Sequence, residues 1–145
     1  MPDARDHTNH VNTWMRQAGA GLPPRHLLEL FEQGMRALWN QAYLTLGEVT
    51  LTAIVDRVVY NAAERFPPFA SLKVDPAGID FRELRNQCEV LNDRDLTAGI
   101  QFVLTEFLIV IGNLTGEILT PSLHDELSKV KLNDSALGSG RKEKL

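Results

Sequence analysis

The sequence predicts an all-α protein: a helical bundle of four to five helices with a long kinked N-terminal helix pair and a central apolar helix. Three observations carry that prediction. Apolar residues recur every three or four positions through two long stretches, one after Pro24 and one after Asp95, which is the spacing of one face of a helix. No proline interrupts the first stretch until Pro67. The second, Leu96 to Leu119, is apolar around most of its circumference: Ile100, Leu104, Phe107, Ile111, Leu114 and Ile118 make one stripe, and Phe102, Val103, Leu108, Ile109 and Val110 lie outside it. Such a helix has to be covered from more than one side, by its own chain or by another copy.

With 145 residues, 43% of them hydrophobic, the chain is long enough for one domain with a real core. Its formal net charge of -4 gives no general pull toward nucleic acid, because a duplex binder concentrates Lys and Arg on one face. Cys88 is the single cysteine, which leaves no intrachain disulfide and no multi-cysteine zinc site and fits a reducing compartment. The opening MPDARDHTNHVNTWM holds no apolar run of signal-peptide type. The expected location is cytoplasmic.

Taken in order, residues 1–22 hold little apolar material beyond Trp14 and Met15 and end in a glycine-rich AGAG, so a flexible N-terminal arm is expected. Pro23 and Pro24 pre-set the backbone for a helix start. From Arg25 to Tyr43 the positions Leu27, Leu28, Phe31, Met35, Leu38, Trp39 and Ala42 share one face. Leu46 to Phe66 is richer in β-branched residues, which favours strand, yet Leu51, Ile54, Val55, Val58 and Ala62 line up on a helical face. Helix is the reading that accommodates both. Gly47 lies between Thr45 and Glu48, whose spacing is that of a capping box, so the two stretches are expected to be one kinked helix or two nearly continuous ones.

Pro67 and Pro68 end that element, and the connection to Gly78 carries an extended piece around Ser71 to Val74. A lone strand there would need the same piece of another subunit beside it. Asp80 is placed to cap a helix of roughly Phe81 to Leu91, with Phe81, Leu84, Cys88 and Leu91 inward. Asp93 or Asp95 is expected to cap the central helix. Thr120 and Pro121 repeat the helix-start grammar for a last short helix facing inward through Leu123, Leu127 and Val130. The bundle domain is thus expected over 23–132, and 133–145 reads as a disordered tail or linker.

Four features bear on function. Length alone would let the central helix span a bilayer; Glu106 at its midpoint, polar residues along it and the lack of a bracketing basic cluster or aromatic belt favour a buried soluble helix. Ala98, Thr105 and Gly112 are seven apart and Gly112 to Gly116 is a small-xxx-small unit, so Ala98, Thr105, Phe107, Gly112 and Gly116 are candidates for a homodimer interface. Glu106 among apolar neighbours is a candidate pocket residue, since a buried carboxylate must be paired, hydrated or protonated.

The fourth feature is Leu-His-Asp-Glu-Leu-Ser, Leu123 to Ser128. This hexapeptide resembles the phospho-acceptor box of one subfamily of sensor histidine kinases, and the resemblance implies a phospho-acceptor at His124; Asp125 beside it is an acidic neighbour able to accept a proton from the imidazole. The basic run that usually precedes that box is replaced here by EILTP. No P-loop, G-x-S-x-G, G-x-G-x-x-G or H-E-x-x-H is present, and no cofactor or metal is expected. The resulting expectation is a non-enzymatic regulatory or protein-protein interaction module of a cytoplasmic signalling system, homodimeric, with a protein partner. The alternatives are histidine phosphotransfer or dimerisation through His124 in a two-component system, and a small-ligand sensor with a pocket near Glu106.

Overall fold

The computed structural model describes residues 4–87 and 91–132. Among them are five α-helices, α1 (Ala4–Ala18), α2 (Pro24–Arg65), α3 (Arg82–Gln87), α4 (Asp93–Leu114) and α5 (Thr120–Ser128), with a hairpin of β1 (Lys73–Asp75) and β2 (Gly78–Asp80) between α2 and α3. The helical bundle predicted from the periodicity is the fold. Its centre is α4, against which α2 and α1 pack, while α5 closes the side of α2. Leu27, Leu28, Phe31, Met35, Leu38, Trp39 and Ala42 of α2 are all buried, as are Leu51, Val55, Val58 and Ala62 beyond its midpoint.

The first correction is at the N-terminus, where residues expected to form a flexible arm are helical from Ala4 to Ala18 and docked. His7, Val11, Trp14 and Met15 lie at helical spacing and are buried. A helix of this length is marginal in isolation; burying Val11, Trp14 and Met15 stabilises it by roughly 1.5–3 kcal/mol per side chain. Gly34 of α2 makes the close approach possible: a Cβ there would lie 3.1 Å from the Trp14 ring and 3.3 Å from Leu127. The Trp14 indole N–H donates to the Val130 carbonyl at 2.9 Å. A glycine that weakens α2 as an isolated helix thus serves as a seat for α1.

Within α2, Gly47 takes φ 80 and ψ 176, a conformation essentially confined to glycine. The two helical halves therefore meet at a true break, in line with a kinked pair. A second correction concerns the extended piece near Ser71. It pairs not with another subunit but within the chain, as β1 runs antiparallel to β2 with Lys73 opposite Asp80, Val74 opposite Ile79 and Asp75 opposite Gly78. The Asp75 carboxylate accepts the Ala77 N–H at 2.8 Å, and Pro76 fixes the turn.

Asp80 lies one residue before the cap position of α3 and still serves its first turn, accepting the Arg82 N–H at 2.9 Å and the Arg82 guanidinium at 2.7–3.1 Å. Those hydrogen bonds hold its carboxyl down to about 2. Phe81 and Leu84 are buried, whereas the inward position expected of Cys88 lies outside the described residues. So does the expected tail, 133–145.

Asn92, rather than Asp93 or Asp95, caps α4: its side chain accepts from the N–H groups of Arg94 at 2.8 Å and Asp95 at 3.3 Å. The two aspartates then fall in the first turn, where the helix dipole favours negative charge. By length and composition α4 could cross a membrane, yet Ile100, Leu104, Phe107, Leu108 and Ile111 are wholly covered by the chain itself. The stripe stays covered only as far as Ile111, for Leu114 is 57% and Ile118 79% exposed.

Gly47→Ala is expected to lower stability by about 1–3 kcal/mol, because no heavy atom crowds that position and the whole penalty is backbone strain. A urea titration checks it: the midpoint should fall at constant slope, and an alanine variant as stable as the parent would show that the break is dispensable.

Candidate functional site

The end of α4 builds the site. Gly116 has φ 60, the Gly116 N–H donates to the Asn113 carbonyl at 3.5 Å and the Glu117 N–H to the Gly112 carbonyl at 2.7 Å. This is the pair of bonds that closes a helix through a left-handed glycine. It ends α4 at Leu114, so Gly116 lies beyond the helix. Glu117 also has a positive φ, 64, which is uncommon for a residue with a side chain. Its carboxylate folds back over Gly112, where a Cβ would stand 2.5 Å from Oε1 and 2.8 Å from Oε2.

Two groups share that carboxylate. Thr120 donates its hydroxyl to Glu117 Oε1, so Thr120 does not cap α5 as expected; the cap residue is Leu119, without a side-chain bond. From α1, His7 Nε2 lies 3.1 Å from Glu117 Oε1. His7 is 1% exposed, and its other nitrogen, Nδ1, lies 2.9 Å from Nε2 of His124 on α5.

The hydrogen-bond inventory fixes one proton. A carboxylate only accepts, so His7 Nε2 carries hydrogen. In a neutral His7, Nδ1 then accepts, and His124 Nε2–H donates to it. Carboxylate, buried imidazole and second imidazole form one directed chain across three segments.

His10 completes the group one turn further along α1. Its ring stacks on that of His124 with centroids 4.1 Å apart and planes 11° apart, while His7 meets His124 edge-on at 5.0 Å. His10 Nε2 donates to the His124 carbonyl at 3.0 Å, with Ser128 Oγ 3.1 Å from the same nitrogen. Burial pushes His124 down to about 4, helped by His10 and His7 and opposed by Asp6 and Glu117. His124 is therefore neutral at pH 7. His26, in the first turn of α2, stands outside this cluster.

The structure thus brings His124 together with His7 and His10, residues assigned by the sequence reading to a mobile arm. As a phospho-acceptor His124 is hindered: its Nε2 is bonded to His7 and one ring face is covered by His10. Among the described residues no three His, Cys, Asp or Glu side chains converge as a metal site.

The proposed interface residues do not form an open face. Phe107 is fully buried, Gly112 is covered by Glu117, Ala98 and Thr105 are half-buried, and Gly116 is a turn residue. The small-xxx-small unit serves a helix end, not helix docking. Glu106 is half-buried on α4. A cleft of about 170 Å³ opens elsewhere, between α2 and the hairpin, lined by Glu32, Trp39, Asn40, Ile79 and Phe81 among others.

Compared with known proteins, the chain matches no family model, no curated protein and no solved structure.

Removing the central acceptor tests the site. Glu117→Ala leaves the buried His7 Nε2–H and the Thr120 hydroxyl without their partner, and a loss of about 1–3 kcal/mol is expected. Chemical denaturation reads it directly. Glu117→Gln, which keeps a carbonyl acceptor in place, should lose less; equal losses would mean that charge rather than hydrogen-bond geometry holds the corner.

Proposed function

We propose that this protein is a non-enzymatic helical interaction module with a regulatory role, which self-associates through the apolar surface around the Gly47 break. The observation that carries this reading is the contrast between a closed core and an open break. Ile100, Phe107 and Ile111 need no second copy to cover them, whereas Tyr43, Leu44 and Val49 are 44%, 77% and 82% exposed. Scattered exposed apolar residues are ordinary. Here three large ones flank a single glycine at the one place where α2 departs from helical geometry.

The chemistry of the histidine cluster supports a structural rather than a catalytic role for it. Its imidazoles are spent on one another, on Glu117 and on the His124 carbonyl, an arrangement that joins α1 to α5. Phosphotransfer through His124 is the weaker reading, since Nε2 would have to give up His7 before attacking a phosphoryl donor, and the other ring nitrogen would have to attack beside a stacked ring.

Sedimentation velocity over a range of concentrations tests the proposal, with a dimer as the expected species. Leu44→Glu combined with Val49→Glu should shift it to monomer while leaving the melting temperature of the monomer unchanged within a few degrees, as both side chains project outward. A parent protein that is monomeric at every concentration would remove self-association from the reading.

A further inference from the structure

We propose that His7, His10 and His124 form a pH-operated latch, in which protonation of the cluster frees the N-terminal helix α1 from the corner made by the end of α4 and α5. This goes beyond the interaction role and does not depend on the identity of any partner.

The argument begins with the bond between His7 Nδ1 and His124 Nε2, 2.9 Å long. A hydrogen bond between two imidazoles needs one lone pair. If both rings are protonated, two N–H groups face each other across that distance, and the attraction becomes repulsion. His7 is 1% exposed, so it cannot relieve the clash by turning to water without leaving its seat. The stacked contact between His10 and His124, 4.1 Å between centroids, would bring a second pair of like charges face to face. Docked, these contacts oppose a proton on all three rings at once. Released, each can take a proton independently near the ordinary histidine value.

Charges around the cluster set how many protons it tolerates. From α1 it faces Asp6, His7 and His10; from the link after α4, Glu117; from α5, His124, with Asp125, Glu126 and Lys129 grouped in ion pairs on that helix. Asp6 and Glu117 favour a positive charge on His124, but burial and the other two histidines outweigh them, and the docked ring is held to about 4 against 6.5 ordinarily. The sign follows. The released form binds more protons, so attachment is complete above the ordinary value and is lost progressively as pH falls from there toward 4.

What the latch uncovers is specific. The partners of α1 are apolar beyond the cluster: Val11, Trp14 and Met15 are buried, and Trp14 sits on Gly34 and beside Leu127. Loosening the histidine end therefore exposes both an amphipathic helix and the groove that held it.

Hydrogen exchange on the full chain, corrected at each pH for intrinsic exchange rates, tests this. The opening equilibrium of amides in Ala4–Met15 should rise roughly tenfold or more between pH 7 and pH 5, while that of Leu27–Ala42 in α2 stays constant. Unchanged protection of α1, or a parallel loss in α1 and α2 that marks general acid unfolding, would overturn the proposal. In His124→Gln, whose amide N–H₂ can still donate to His7, the pH dependence of α1 should flatten. Should that variant lose protection in α2, His7→Gln carries the same test, because it removes the other ring of the pair while its amide N–H₂ can still donate to Glu117. Undiminished pH dependence in whichever variant is folded would overturn the latch.

Discussion

A carboxylate trapped between a helix end and two donors is the constraint on which the arrangement of this protein turns. Gly116 lets α4 stop, and the stop throws Glu117 into a left-handed backbone with its side chain lying on Gly112. From that position one carboxylate serves Thr120 at the start of α5 and His7 on α1. Any side chain at 112 would occupy the same space. The end of α4, the start of α5 and the remote helix α1 are thereby fixed relative to one another by a single anion. Because His7 is buried, its two nitrogens have to be satisfied there or cost the full desolvation of an orphaned polar group.

Glycines recur at such junctions for a reason other than flexibility. Gly34 admits the Trp14 ring and Gly112 admits a carboxylate, while Gly99 faces the Phe69 ring so closely that a methyl group would overlap it. In each case a helix accepts the intrinsic penalty of glycine, about 1 kcal/mol against alanine, and gains the close approach of a large or charged side chain from another element. Gly47 is different. Nothing approaches it, and its backbone geometry alone explains its identity, so the exposed Tyr43, Leu44 and Val49 owe their position to a change in chain direction rather than to packing.

Much of the fold was legible because hydrophobic periodicity reports burial directly: the inward faces of α2 and α4 follow from the spacing of residues such as Phe31, Met35, Ile100 and Phe107. The hairpin was only half visible, since Ser71–Val74 reads as extended but its partner, Gly78–Asp80, carries a single large apolar residue, Ile79. The N-terminal helix was missed because a quarter of its buried face is a histidine. Once His7 is counted with Val11, Trp14 and Met15 the helical stripe appears, but imidazole is classed as polar until a partner for both of its nitrogens is known. Those partners, Glu117 and His124, lie 110 and 117 residues away. His124 was found for another reason, the sequence around it, and no spacing rule could have joined it to His7 and His10. Glu106, selected as an awkward charge, turns out half-buried, and the carboxylate under real constraint, Glu117, sits just past a helix end that the periodicity carries on to Leu119.

The division of α1 into two kinds of contact has a consequence for how the molecule can respond to its surroundings. Its later half is held by apolar burial through Val11, Trp14 and Met15, which changes little with pH and only slowly with temperature near ambient conditions. Its earlier half is held by imidazoles, whose bonding capacity depends on the number of protons present. A helix anchored wholly by the first kind would be a permanent part of the core; one anchored wholly by the second would come and go as a unit. With the two in series along one helix, a change in protonation acts at His7 and His10 and is transmitted toward Trp14 by the stiffness of the intervening turns, so the apolar contacts set the threshold at which the ionisable ones can release the segment.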